Sequence, residues 1–152
     1  MIMWNLLICD DDRNFLEQFK QQVIETAGDI IGSIGCISDR ESLRFHLEEK
    51  NYRLPCIAVV EMKFSDGTDG PEIAKQLLAV NPLAQIIFFS AQENYNLDVY
   101  DVEHIFFLEK PVKRECLEKA LRRADKNLNK IQSRTLPIVT KASTFAVPVE
   151  QI

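Results

Sequence analysis

Five short apolar runs, interrupted by segments with helical spacing, constrain this chain more than any other feature. They are Trp4 to Cys9, Ile30 to Ile37, Ile57 to Val60, Gln85 to Phe89 and His104 to Leu108, and they are rich in the Ile, Val and Phe that suit strands. After the first run Phe15, Leu16, Phe19 and Val23 recur at the helical period, and after the third Ile73, Ala74, Leu77 and Leu78 do the same. A second helix is expected over Arg40 to Lys50 with Asp39 as its N-cap, and Asn81-Pro82 closes the third. A fourth is expected around Asn94 to Tyr100. The last, Lys113 to Ile131, sets Cys116, Leu117, Ala120, Leu121, Ala124, Leu128 and Ile131 on one face. Strands that alternate with helices pair in parallel through right-handed crossovers. The expected class is therefore α/β, a doubly wound five-stranded parallel sheet covered on both faces.

With 152 residues, 46% of them hydrophobic, the chain suffices for one domain with a real core. Its opening apolar stretch has no basic n-region and runs into Asp10-Asp11-Asp12, so it reads as a strand and not a signal peptide. No apolar run approaches the roughly 20 residues that span a bilayer, so a cytoplasmic protein with no membrane partner is expected. Cys9, Cys36, Cys56 and Cys116 lack the short paired spacings of zinc or redox motifs and read as buried structural thiols. His46 and His104 stand alone and read as surface or satisfied side chains. The net charge of -5 is uneven: residues 1 to 112 carry 9 Lys and Arg against 19 Asp and Glu, residues 113 to 152 carry 9 against 4. An acidic body argues against a nucleic-acid surface there, and the basic end reads as a solvated helix face.

The polar residues fall at strand ends. Asp10, Asp11 and Asp12 follow the first strand, Glu61 the third, Ser90-Ala91 the fourth and Lys110-Pro111 the fifth. In doubly wound sheets sites form at the carboxyl ends of strands, near the reversal of strand order. Crowded carboxylates raise one another's pKa unless a cation intervenes, so the group invites a lysine and a divalent ion, magnesium by preference for its oxygen ligands. Taken alone, Asp10 to Asp12 serve equally well as an acidic helix start.

The segments LLICDDD, VVEMKFSDGTDGPEIA, IIFFSA and FFLEKP, spread over residues 3 to 130, resemble the receiver domains of two-component response regulators. The resemblance implies the flavodoxin-like (βα)5 fold with strand order 2-1-3-4-5 and a regulatory, non-enzymatic module. Asp10 and Asp11 would be the acidic pair, holding magnesium weakly together with Glu61. Ser90 would be the switch hydroxyl, Lys110 the phosphoryl-binding lysine and Phe107 the aromatic reporter. A sensor histidine kinase is the implied partner, and the fourth helix, fifth strand and fifth helix the implied homodimer face.

The departure is at the phosphoacceptor. Counting back from Asp69-Gly70 puts Glu61 there if the loop has one extra residue, or Met62 if it does not; neither is the aspartate that the family uses. The added methylene of glutamate shifts the carboxylate away from in-line geometry, so phosphorylation should be slow or absent. Asp66 and Asp69 read as loop-forming residues. Two consequences stay open: Glu61 reaches Lys110 and Ser90 as a partial mimic of the acyl phosphate, or it leaves an inert scaffold. Two alternatives also stand. One is a slowly phosphorylated conventional receiver. The other is a haloacid dehalogenase-like phosphohydrolase using Asp10 and Asp12, although its later acidic motif is missing: Glu115, Glu118 and Asp125 fall on a helix.

The receiver is expected over residues 1 to 132. Residues 133 to 152, with a strand-like pattern around Thr140 to Ser143, look like a linker and the first strands of a LytTR-type DNA-binding domain. On that reading the chain is truncated just inside the output domain. It should bind no DNA specifically, because the reading surface is missing, while the intact protein would regulate transcription.

Overall fold

The computed structural model describes residues 3–48, 56–90 and 103–139. Five strands, β1 (Trp4–Cys9), β2 (Ile31–Ile37), β3 (Ile57–Glu61), β4 (Gln85–Ser90) and β5 (Phe106–Glu109), form one parallel sheet in the order β2-β1-β3-β4-β5. The described helices are α1 (Arg13–Ala27), α2 (Arg40–Glu48), α3 (Gly70–Val80) and the last helix, α4 (Arg114–Val139). The expected doubly wound sheet and strand order are present. The helix expected around Asn94 to Tyr100, the end of the second helix at Lys50 and the strand pattern near Thr140 lie outside the described residues.

The central strands β1, β3 and β4 are buried on both sides, which is why they read as continuous apolar runs and not as alternating ones, while the edge strands β2 and β5 are partly exposed. On one side Leu6, Ile8, Val59, Ile87 and Phe89 pack against α1 and α4 through Phe19, Val23, Leu117 and Leu121. On the other, Leu7, Val60, Ile86 and Phe88 meet Leu43 of α2 with Ile73 and Leu77 of α3. Each such Leu, Ile or Phe withdrawn from water contributes about 1.5–3 kcal/mol. The helix ends carry their caps. Asp12 accepts the N–H of Phe15 at 3.1 Å and Asp39 that of Ser42 at 2.7 Å, while the N–H of Asn81 closes α3 on the carbonyl of Leu77.

Two expectations about the last helix need correction. It continues past Ile131 to Val139, with Pro137 inside its last turn, because Gln132 to Leu136 offer no Gly or Pro to stop it earlier and a helix outlasts its apolar stripe. Cys116 is exposed, since the core-facing row is Leu117, Ala120, Leu121, Ala124 and Leu128, and a neighbour in sequence points about 100° away. Cys9 is buried and Cys36 and Cys56 are half-buried; burial pushes the Cys9 thiol far up. His46 Nδ1 meets the Ser42 carbonyl at 2.8 Å, and His104 stands edge-on to Phe88. Among the described residues no helix is long and apolar enough to cross a membrane.

Candidate functional site

The chain reverses its winding between β1 and β3, and the polar strand ends converge there. Asp10 follows β1 and is 1% exposed, whereas Glu61 is the last residue of β3 and is 8% exposed. Lys110, just beyond β5, spans both: its Nζ donates to Asp10 Oδ2 at 2.6 Å and to Glu61 Oε1 at 3.1 Å. The backbone N–H of Lys110 donates to the Ser90 carbonyl at 2.9 Å, so the ends of β4 and β5 are tied together beneath the lysine. Ser90 is buried. Glu61, not Met62, faces the lysine. Met62 is buried with Phe64 and Ile73 in the core on the α2 and α3 side.

The β3–α3 loop closes the site from above. Phe64 donates its N–H to Thr68 O at 2.9 Å, Gly67 turns the chain at φ 91°, and Thr68 N–H binds Asp66 Oδ1 at 2.8 Å. Asp69 pairs with Lys63 at 2.8 Å, so both loop aspartates act within the loop, as their composition suggested. Gly70 is needed where it stands: a Cβ there would lie 2.1 Å from the Glu61 carbonyl oxygen. The loop reaches Asp11 through Ser65, whose N–H donates to Asp11 Oδ2 at 2.7 Å and whose hydroxyl donates to the same oxygen.

These surroundings separate the carboxyls. Burial raises the Glu61 pKa above the ordinary glutamate value, and the attraction of Lys110 does not fully offset it. At Asp11 desolvation is the largest single influence and raises the pKa, but the hydrogen bonds, those of Ser65 foremost, together outweigh it, and the pKa is lowered. Burial alone would lower Lys110, but the Asp10 hydrogen bond and the Glu61 and Asp10 charges hold its proton more tightly than usual.

A magnesium ion needs oxygens that converge on one point. Here Asp10 Oδ1 receives the Asp12 N–H at 2.9 Å and Glu61 Oε2 the Met62 N–H at 2.7 Å, while their other oxygens hold Lys110 and Asp11 turns to Ser65. Among the described residues no three acidic, imidazole or thiolate side chains form a group that could hold a metal. As arranged, Asp10, Asp11 and Glu61 do not fit the ion.

Several features were not legible in advance. Phe15 of α1 lies under the ammonium, its ring centroid 4.0 Å from Lys110 Nζ, and Phe89 lies at 4.9 Å. Both had read only as core spacing. Ser65 had no sequence signal beyond its place in the loop. Phe107, the expected reporter, is half-buried against the α2 and α3 core. Asp12, the second acid of the phosphohydrolase alternative, caps α1 and is exposed, so it is not gathered with Asp10 around Lys110.

Solved structures share this arrangement of elements. A signal receiver domain of a modulated diguanylate cyclase from Desulfovibrio desulfuricans G20 superposes with TM-score 0.68 at 22% identity, covering 84% of this chain and 98% of that one. The REC domain of AraT, a response regulator from Geobacillus stearothermophilus, gives 0.71 at 18% identity, covering 86% and 98%. The chain has the fold of a response-regulator receiver domain. A CheY-like response regulator receiver domain protein from Methanospirillum hungatei JF-1 matches this receiver fold with TM-score 0.67 at 19% identity, covering 84% and 98%. In sequence, the sensory transduction proteins LytT of Bacillus cereus and Bacillus anthracis are each 24% identical over an alignment of 155 positions that covers 98% of this chain. The chain spans 60% of the length of those curated relatives. No family model matches it.

Proposed function

We propose that this receiver fold is a signalling module of a two-component response regulator that does not accept a phosphoryl group in the conventional way. Glu61 takes the acceptor place. One observation carries the reading: Glu61 Oε1 lies 3.1 Å from Lys110 Nζ at the strand ends, so the lysine already has a carboxylate partner. A single charge and two oxygens imitate a phosphoryl group only in part, yet they suffice to hold the lysine in one place. That favours a module held in a fixed state over an inert scaffold.

The chain's own groups act by position. Asp10 anchors the ammonium, Glu61 shares it, Ser90 and Phe107 are the proposed switch positions, and no step runs through magnesium. The sequence match to LytT runs through nearly the whole chain, which supports reading residues 133–152 as a linker entering an output domain of a transcription regulator. A sensor histidine kinase remains the proposed partner. The homodimer face is proposed to use β5, α4 and the segment before β5.

Acetyl phosphate with magnesium, followed by intact mass, tests the central point. The wild-type chain should gain no adduct, and Glu61→Asp should gain one phosphoryl group. A stoichiometric adduct on the wild type would overturn the proposal in favour of a conventional receiver, and turnover of a phosphate ester would favour the phosphohydrolase.

A further inference from the structure

The lysine between Asp10 and Glu61 has surroundings that ion pairing alone does not require. Its Nζ sits over the Phe15 ring at 4.0 Å and near the Phe89 ring at 4.9 Å, and those two rings touch with centroids 5.2 Å apart. Phe15 also stacks on the buried Phe19 at 5.5 Å, so the ring under the ammonium is fixed by the α1 core. The opening of α1 is fixed as well, by the Asp12 cap on the N–H of Phe15 itself. An aromatic face attracts a cation, the more so where water is excluded, and the lysine side chain is only 15% exposed. The ammonium therefore meets two carboxylates and two aromatic rings.

We infer that Phe15 is a positioning residue which, with Phe89, holds the Lys110 ammonium between Asp10 and Glu61 as a built-in counter-ion, in the role a divalent cation would otherwise fill. The charge arithmetic agrees. Two buried carboxylates need positive charge close by, and a lysine that cannot swing away supplies it without an ion from solution. Because it concerns how the site is neutralised, this inference stands whether or not the module signals in the manner proposed above.

Manganese alone is a suitable probe, because its paramagnetism broadens nearby amide signals. On the full chain, manganese should bind only weakly around Asp10, Asp11 and Glu61. Lys110→Met should create clear saturable binding. Phe15→Leu keeps the apolar volume and removes the π face; it should tighten manganese binding about fivefold, in line with one cation–π contact. Phe15→Tyr restores a π face and should return the affinity to the wild-type value. A second readout follows Lys110 itself: its side-chain methylene protons should resonate upfield in wild type and Phe15→Tyr, and lose that ring-current shift in Phe15→Leu. Saturable submillimolar manganese binding by the wild type would overturn the inference. So would Phe15→Leu matching the wild type in both affinity and Lys110 shift.

Discussion

Asp10 and Asp11 are neighbours in sequence, and they live in different electrostatic worlds. Asp10 is 1% exposed and bound to Lys110, while Asp11 is half-buried at the rim and binds the backbone and hydroxyl of Ser65. The same division runs through the whole acidic end: an inner region of Asp10, Lys110 and Glu61, and a rim of Asp11, Ser65, Lys63 and Asp69. Identical side-chain chemistry has unequal weight in the two. Unpairing a buried charge strands its partner in low dielectric, whereas a rim charge returns to water.

The comparison breaks most readily at its centre. Lys110→Met leaves two buried carboxylates unpaired and should lower stability by about 3–5 kcal/mol in urea unfolding; a loss under about 1 kcal/mol would mean that the inner region is as solvated as the rim. Gly70→Ala comes next. Its Cβ meets the Glu61 carbonyl, so the loop and the end of β3 must part, at about 1–3 kcal/mol. On the rim, Ser65→Ala removes the hydroxyl bond to Asp11 and keeps the backbone one, and should cost only about 0.5–1 kcal/mol.

Acidification sharpens the comparison without mutation. Burial raises the Glu61 pKa and the Ser65 hydrogen bonds lower that of Asp11, so carboxyl carbon shifts should show Glu61 protonating before Asp11. The stability consequences have opposite signs. Asp11, with a depressed folded pKa, stabilises the fold above its unfolded pKa, and this is lost as pH falls through the folded value. Glu61, with a raised one, favours the fold most when protonated, and that contribution fades as pH rises from the unfolded value through the folded one. Asp11 titrating before Glu61 would contradict the assignment of inner and rim positions.

Periodicity along the chain was enough to read the five strands, α1, α3 and the core-facing row of α4, because both faces of the sheet had to be apolar and every crossover had to be helical. It was also enough to bring Asp10, Glu61, Ser90 and Lys110 to one end of the sheet, since each lies within two residues of the end of an apolar run. It misplaced the end of α4 and the side on which Cys116 lies, because a helix has no need of an apolar residue in each turn and one position off the stripe is already solvent. It was silent on Phe15, Phe89 and Ser65 as neighbours of the charges.

What tertiary structure alone decided was the pairing. Lys110 is 100 residues from Asp10 and 49 from Glu61, and Ser65 is 54 from Asp11. The choice among three adjacent aspartates, and between Glu61 and Met62, depends on which way each side chain leaves its strand end and which ring or loop it meets there. Local sequence sets the first through the two-residue alternation of a strand. The second exists only when the ends of β1, β3 and β5 have been gathered at one edge of the folded sheet, with β4 between the last two.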